Sequence, residues 1–274
     1  MRNQKNKKDY LFSFGENWQN FLSVLSIDHI LEAENSLKKF LGIKDLSNKK
    51  FLDIGSGSGI HSLAARRLGA GVFSFDFDRQ SVACTNELKR RYFTNDPNWQ
   101  IDQGSILDKK YIEGLGKFDI CYAWGVLHHT GSLWQALYNA QIPLSKGGYL
   151  FIAIYNDQEI ISSIWKVVKR NYNKNNFMKL LITLVFYPLF FISGLLMDLL
   201  RLKNPFNRYR NHKKYRGMSL IHDWRDWLGG YPYDPARPQE IIDFYENLGF
   251  RIINFKPTQH GFGNNQFLFQ KDSE

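Results

Sequence analysis

Five short apolar runs alternate with segments of helical periodicity between residues 50 and 155 of this chain. Strands separated by helices are typical of parallel pairing, because a parallel pair needs a crossover between its strands. The pattern predicts an α/β fold with a doubly wound, mostly parallel sheet. Two later β-like runs predict strands that join the same sheet. The seven runs occupy residues 51–54, 72–76, 99–101, 118–122, 149–154, 250–255 and 266–269.

A glycine-rich turn, residues 55–59, follows the first predicted strand. Glycine lets the backbone turn tightly and lets a ligand approach without a Cβ in the way. The spacing is G-x-G-x-G, whereas the dinucleotide motif G-x-G-x-x-G needs glycine at the position of Ile60, and no Lys-Ser/Thr pair of a phosphate loop follows. The second strand ends in Asp76, whose carboxylate can accept both hydroxyls of a ribose. Turn and acid together indicate a ligand site.

At these residues the chain resembles the class I S-adenosylmethionine-dependent methyltransferases, with a type 11/12-like domain, over about residues 48–156. The resemblance implies a Rossmann-like methyltransferase fold with a seven-stranded sheet whose last strand is antiparallel, and S-adenosyl-L-methionine as cofactor. The acid at position 53 and the glycines would shape its methionine side, Asp76 would hold the ribose, and Phe77 would flank the adenine. The cofactor-binding residues so implied are Asp53, Gly55, Ser56, Gly57, Gly59, Asp76, Phe77, Ser105 and Trp124.

The third predicted strand departs from the family pattern. The family usually has Gly-Asp after it, with the Asp facing the adenine amino group, and this chain has Gly104-Ser105. A hydroxyl accepts the same hydrogen bond more weakly. Asp102 and Asp108 are the alternative acceptors nearby.

Two adjacent histidines, His128 and His129, follow the fourth predicted strand. The carboxyl ends of the strands form the crevice of an open α/β sheet, so this turn should face the site. A histidine there can deprotonate a substrate hydroxyl, and alignment with the family segment favours His129. The alternative is a histidine that only orients the loop or caps a helix. His222 and Asp223 are second candidates for base or orienting group.

Regions outside the alternating pattern divide the chain. We predict an N-terminal tail and helical leader or cap at residues 1–47, a cofactor-binding core at 48–156, a helical apolar and basic insertion with a substrate cap after strand five at 157–237, and a final helix and strands at 238–274. Residues 180–197 form an apolar run without a charge, and the length of this run is at the threshold for a transmembrane helix. A single crossing would put the last strands on the wrong side of the membrane. Pro188 favours a kink or a two-part hairpin.

The net charge of +10 is concentrated in that insertion. Residues 166–216 contain 12 Lys and Arg against one acid, Asp198, whereas the rest of the chain holds 24 bases and 25 acids. This arrangement favours peripheral docking on an anionic membrane surface. A lid or dimer helix with solvated basic ends is the alternative. Nucleic acid is disfavoured because no recognised RNA-binding module accompanies the basic residues.

The sequence predicts a cytoplasmic S-adenosylmethionine-dependent methyltransferase that methylates an oxygen of a small apolar or lipid-linked acceptor. The two cysteines favour a reducing compartment, residues 1–9 form a basic tail without the apolar region of a secretory signal, and no Cys/His spacing suggests a metal. The alternatives are an NAD-dependent oxidoreductase and a non-catalytic, membrane-recruited scaffold that binds the cofactor. Oligomeric state stays open.

Overall fold

A seven-stranded sheet forms the centre of the computed structural model, which describes residues 15–202, 204, 220–258, 261 and 263–272. The strand order is β3-β2-β1-β4-β5-β7-β6. The strands are β1 (Lys50–Ile54), β2 (Gly71–Asp76), β3 (Trp99–Gln103), β4 (Phe118–Trp124), β5 (Leu144–Tyr155), β6 (Phe250–Lys256) and β7 (Asn264–Lys271).

Strands β1 to β5 pair in parallel, and β7 inserts antiparallel between β5 and β6. Each apolar run of the sequence lies in one of these strands. The predicted α/β fold is therefore confirmed, including its doubly wound sheet and antiparallel last strand.

Ten α-helices occur in the described part of the chain, and a 3₁₀ turn, Leu127–His129, follows β4. The helices are α1 (Gly15–Val24), α2 (Ile27–Leu41), α3 (Ile60–Arg67), α4 (Arg79–Tyr92), α5 (Lys109–Gly114), α6 (Leu133–Ala140), α7 (Ile160–Tyr172), α8 (Asn176–Leu200), α9 (Leu220–Gly229) and α10 (Pro238–Glu246).

Two apolar clusters cover the two faces of the sheet. Successive side chains of a strand point to opposite faces, so Leu52 and Ile54 of β1 pack with α5, α6 and α10, while Phe51 packs with α2, α3 and α4. Asp53 lies on the same face as Phe51 and is fully enclosed. This alternation places one carboxylate beneath the turn that follows β1.

The insertion after β5 forms a smaller cluster of its own. Tyr172, Ile182 and Leu228 are its buried members, contributed by α7, α8 and α9. Helix α8 runs through Pro188 without a break, so the predicted two-part hairpin is wrong. By length and composition α8 could cross a membrane, and only 6% of its most apolar stretch is buried. Within the described part of the chain this run is therefore largely uncovered, and both membrane docking and the lid or dimer helix stay predictions.

Candidate cofactor and catalytic site

The glycine-rich turn adopts a backbone that only glycine accommodates easily. Gly55, Gly57 and Gly59 have φ angles of 74°, 56° and 81°, in the left-handed region. A Cβ on Gly55 would lie 2.5 Å from Cγ1 of Val126, and one on Gly57 would lie 3.0 Å from the ring of Trp18. The turn is thus packed against the β4 loop on one side and the N-terminal leader on the other.

Asp76 at the end of β2 is hydrogen-bonded to the glycine turn. Its Oδ2 accepts from the Gly57 N–H at 2.9 Å, and its Oδ1 accepts from the Asp78 N–H at 2.9 Å. Burial raises the pKa of this carboxyl to about 6, against the lowering effect of these backbone donors. Asp76 is therefore mostly ionised at neutral pH and retains lone pairs for hydroxyl donors. The next residue, Phe77, leaves 61% of its side chain exposed at the same edge.

A chain of buried donors ends on Asp53. Trp99 Nε1 donates to Ser74 Oγ at 2.9 Å, and the Ser74 and Ser62 hydroxyls lie 2.7 Å apart. The Ser62 hydroxyl donates to Asp53 Oδ2 at 2.5 Å. Because Ser62 donates to the carboxylate, its oxygen must accept from Ser74, so all three donors point toward Asp53.

The Asp53 carboxyl is an uncommon group to keep in a protein interior. Burial raises its pKa to about 7, the Ser62 hydrogen bond lowers it, and the charge of Asp76 raises it again. Its hydrogen-bond partner Ser62 lies inside the protein, which suits a carboxylate that supports the turn from below.

The predicted acceptors after β3 are engaged in local hydrogen bonds. Ser105 Oγ accepts from the Leu107 N–H at 3.2 Å. Asp108 caps α5 by accepting from the Tyr111 N–H, and Asp102 accepts from the Tyr111 hydroxyl at 3.1 Å. All three residues lie at the carboxyl edge of the sheet, and each retains further acceptor capacity.

An aromatic group that the sequence interpretation missed lies at the end of β4. The ring of His61, in the first turn of α3, has its centroid 4.9 Å from Tyr122 and 6.3 Å from Trp124. Burial lowers the pKa of His61 to about 4, so this ring is neutral at physiological pH. Trp124, predicted to bind cofactor, keeps 42% of its side chain exposed. The signal for His61 was its place directly after the glycine turn.

His129 is held by the C-terminal part of the insertion. Its Nδ1 lies 2.7 Å from the carbonyl oxygen of Pro232, and because a carbonyl only accepts, Nδ1 carries the proton. The lone pair of the neutral ring is therefore on Nε2. Burial lowers the pKa of His129 to about 4, against the raising effect of the Pro232 hydrogen bond, and the charge of Lys169 lowers it further. His129 is thus in its basic form at neutral pH.

His128 takes the opposite tautomer. The Tyr155 N–H donates to its Nδ1 at 3.3 Å, so the proton of the neutral ring is on Nε2. That Nε2 is buried and has no hydrogen-bond partner among the described residues. Burial, together with the charges of His129 and Lys169, holds the pKa of His128 well below its usual range. This tautomer makes His128 a hydrogen-bond donor, whereas the neutral ring of His129 has its acceptor nitrogen at Nε2, and the role of His129 as the base stays a prediction.

Lys169 of α7 is the second residue that the sequence interpretation missed. Its side chain is 1% exposed, and its Nζ donates to the Trp227 carbonyl. The Nζ lies 4.4 Å from the ring centroid of Trp227 and 5.2 Å from that of Tyr233. Burial lowers the pKa of Lys169 to about 7, and Asp226 raises it. Nothing in the sequence separates this lysine from the other bases of the insertion.

The second candidates for the base lie on α9. The backbone of His222 belongs to this helix, but its side chain is outside the described part of the structure. Asp223 lines a cavity of about 360 Å³ between α8 and α9. Trp227 forms part of the same wall, and its ring lies 6.0 Å from Tyr155, which in turn lies 5.5 Å from His129. The roles proposed for His222 and Asp223 stay predictions.

Comparison with known proteins identifies the family. A methyltransferase domain family matches residues 45–210, which is more than half of the chain. The chain is 43% identical over 84 residues to a ribosomal protein L11 methyltransferase of Prochlorococcus marinus, covering 30% of this chain and 23% of that protein. It is 30% identical over 148 residues to a ubiquinone biosynthesis O-methyltransferase of Pelagibacter ubique, covering 51% and 56%. The chain therefore spans from about a quarter to just over half the length of these curated relatives.

A solved structure has the same fold along nearly the whole chain. Magnesium protoporphyrin IX methyltransferase from Synechocystis PCC 6803, with S-adenosylhomocysteine bound, superimposes with a TM-score of 0.58 at 12% identity, covering 98% of this chain and all of that one. At this identity the likeness concerns the fold alone.

The chain belongs to the methyltransferase domain family, and its assignment to the class I S-adenosylmethionine-dependent methyltransferases is confirmed. The predicted cofactor, S-adenosyl-L-methionine, is confirmed with it, and the oxidoreductase alternative is set aside. The residues of the crevice fit this cofactor. Left-handed glycines remove side chains from the turn, Asp76 offers a carboxylate for ribose hydroxyls, and Phe77 offers an exposed ring for the adenine.

Substituting Gly55 by Ala should weaken binding of S-adenosylhomocysteine by at least about tenfold. The new Cβ would meet Val126 at 2.5 Å and must move the turn. Gly42 is the matched control, because its φ of 71° carries the same backbone strain but a Cβ there meets nothing within 4 Å. Gly42→Ala should cost about 1–2 kcal/mol of stability and leave the affinity unchanged. Isothermal titration calorimetry separates the two, and equal affinities would contradict the assignment of the turn.

Burial of Asp53 should make the protein less stable as the pH rises. The folded-state pKa of about 7 lies above the ordinary aspartate value of 3.8, so the folded state binds more protons between these values and the free energy of unfolding falls with rising pH. Between about pH 5 and about pH 8 the loss due to this group should be about 2–3 kcal/mol.

Urea unfolding of the protein and of Asp53→Asn measures this contribution. The variant should lose less stability over the same pH range, because its amide does not ionise. Parallel pH profiles for the two proteins would show that Asp53 does not titrate as its burial predicts.

Proposed function

We propose that the protein transfers the methyl group of S-adenosylmethionine to a hydroxyl oxygen of a small apolar or lipid-linked acceptor. The observation that supports oxygen is the hydrogen bond from His129 Nδ1 to the Pro232 carbonyl, which leaves the ring's lone pair on Nε2. A hydroxyl is a poor nucleophile and needs such a base, whereas an amine can attack without one. A ring held in its basic tautomer therefore favours an oxygen acceptor.

The chain supplies orientation and a proton acceptor. When bound, S-adenosylmethionine supplies an electrophilic methyl group on a sulfonium sulfur. Asp76 accepts the ribose hydroxyls, and the glycine turn leaves room beside them. His129 takes the acceptor's proton on Nε2 as the acceptor oxygen bonds to the methyl carbon. With the cofactor bound, sulfur would keep the electron pair of the broken carbon–sulfur bond. The products would be the methyl ether of the hydroxyl acceptor, S-adenosylhomocysteine and a protonated His129. Its low pKa then returns the proton readily to solvent.

An aromatic surface beside His129 supports an apolar acceptor. The ring of Tyr155 lies 5.5 Å from His129, 5.6 Å from Tyr233 and 6.0 Å from Trp227. Trp227 also lines the cavity between α8 and α9, together with Phe190 and other apolar side chains. Such a surface binds rings and chains through apolar contact and binds a highly charged acceptor poorly.

The relatives do not select the acceptor, because their names point to a ribosomal protein in one case and to ubiquinone biosynthesis in another. The family assignment sets aside the hypothesis of a non-catalytic scaffold, so the acceptor is the open question. It can be decided by following the methyl group.

Cell extracts incubated with the protein and methyl-labelled S-adenosylmethionine should yield a labelled component in the fraction soluble in organic solvent. His129→Ala should lower its rate of formation by about 10²–10⁴-fold, the usual contribution of a general base. The variant should still bind S-adenosylhomocysteine, because Asp76 and the glycine turn are unchanged. Mass spectrometry of the product identifies the atom that carries the methyl group.

Three results would contradict the proposal in distinct ways. Label that enters only protein or RNA would exclude a small apolar acceptor, and a methyl group on nitrogen would exclude O-methylation. Binding of S-adenosylhomocysteine without label in any fraction would favour the scaffold. His29→Ala is a control, because His29 lies on α2 and its Nδ1 is hydrogen-bonded to the neighbouring Ser26, so the variant should keep full activity.

A further inference from the structure

The hairpin of α7 and α8 presents an apolar surface to its surroundings. Twelve large apolar side chains of α8 are exposed by 44–83%, including Phe177, Leu184 and Leu200. Helix α7 adds Ile160 and Val167, which are 75% and 59% exposed. A continuous apolar area of this size is rare on the surface of a monomeric soluble protein and marks an interaction site.

Three polar residues of the same two helices face inward, although Lys166 and Arg170 of α7 are exposed. Asp198, the one acid of α8, is 5% exposed, and Ser162 and Lys169 of α7 are 5% and 1% exposed. A helix on an aqueous surface has the reverse arrangement, with its apolar stripe against the core. The pattern shows that water is a poor environment for the outer face of this hairpin.

We propose that the α7–α8 hairpin docks on an anionic lipid bilayer and lies in the plane of its interface. Charge selects lipid over a second copy of the chain. Residues 166–216 hold 12 bases and one acid, and a symmetric dimer through this face would bring two such regions together. Arg170 and Lys174 before α8 and Arg201 after it are exposed, which suits anionic headgroups at both ends of the apolar stripe.

The topology supports an in-plane helix over a membrane-spanning one. A helix of 25 residues is about 37 Å long and could span the hydrocarbon layer. However, β7 pairs with β5 after the insertion, so the chain must return to the side it left. Residues 203–219 contain six Lys and Arg and are too polar to cross back. The inner face of α8 also packs on protein, with Phe186 and Phe190 against Trp165.

The docking surface is joined to the candidate active site by a series of edge-to-face aromatic contacts. Trp165 lies 5.4 Å from Trp227, which lies 6.0 Å from Tyr155, next to His129. Docking would therefore place the mouth of the crevice close to the lipid surface. This inference goes beyond methyl transfer and does not depend on the identity of the acceptor.

Fluorescent labelling at introduced cysteines can test both the docking and its geometry. The native thiols of Cys84 and Cys121 are buried, and burial raises the pKa of Cys84 to about 11, so a single surface cysteine should react selectively. Leu181→Cys, Leu189→Cys and Leu196→Cys sample α8 along its length. With vesicles of phosphatidylglycerol, an environment-sensitive label at all three sites should shift to shorter wavelength, and lipid-borne quenchers should place all three at the same shallow depth.

Labelled Leu31→Cys on α2 is the matched control, since Leu31 is a 42% exposed helical leucine outside the hairpin. Its emission should not change. A label at position 189 that lies much deeper than those at 181 and 196 would indicate a spanning helix and overturn the in-plane proposal.

Vesicle co-sedimentation with charge variants gives the second measurement. Leu184→Glu should lower the affinity for phosphatidylglycerol vesicles by at least about tenfold, while Leu31→Glu should not change it. Added salt should weaken binding because the basic residues contribute. Both variants should keep the wild-type circular dichroism and affinity for S-adenosylhomocysteine, which separates failed docking from a failed fold or a failed cofactor site.

Two outcomes would overturn the proposal. The first is wild-type protein that stays in the supernatant with anionic vesicles at low salt. The second is a lipid-independent dimer in sedimentation velocity that Leu184→Glu dissociates, since the outer face would then be covered by a second copy.

Discussion

The antiparallel pairing of β7 with β5 is the contact on which the arrangement of the site depends. Residues 149–155 of β5 align with residues 264–270 of β7, so everything between them leaves and returns at one edge of the sheet. The Asn156 N–H donates to the Gly263 carbonyl at 3.0 Å, and Asn265 Nδ2 donates to Asn156 Oδ1 at 2.9 Å. These bonds close the base of the insertion beside the histidine turn. The insertion is therefore part of the crevice by topology.

Buried ionisable groups surround that crevice, each kept by a specific partner. Asp53 lies at the end of the hydrogen-bond chain that begins at Trp99, and Asp76 accepts a hydrogen bond from the glycine turn. Lys169 lies between aromatic rings. Burial favours the neutral form of each group, because it raises the pKa of the two carboxyls and lowers the pKa of Lys169. Charges held out of water cost stability, and such groups cluster where a protein needs fixed electrostatics for a ligand. Their position at the carboxyl ends of β1 and β2, and beside the turn after β4, agrees with a site at the switch point of an open sheet.

The sheet could be predicted because each strand is marked by residues that are close together in the sequence. Each strand appeared as an apolar run, and the glycine turn and Asp76 appeared at strand ends. The antiparallel direction of the last strand was predicted from the resemblance to a known class of proteins. Groups brought together by distant segments could not be predicted in this way. Lys169 looked like one more base in a basic insertion, and its enclosure by Trp227 and Tyr233 comes from the return of the chain. Pro188 suggested a break in the apolar run, yet α8 continues through it. Proline lacks an N–H and so removes one hydrogen bond, and the other hydrogen bonds of this long helix remain.

Calorimetric titration with S-adenosylhomocysteine tests the central claim most directly, that the cofactor binds at the carboxyl ends of β1 and β2. The wild-type protein should bind, and Asp76→Ala should bind at least about tenfold more weakly, since hydrogen bonds to a charged acceptor contribute about 1.5–3 kcal/mol. Asp102→Ala removes a carboxylate one strand away, bonded to Tyr111, and should have a smaller effect. Absence of binding by the wild type, or equal affinity in Asp76→Ala, would contradict the account.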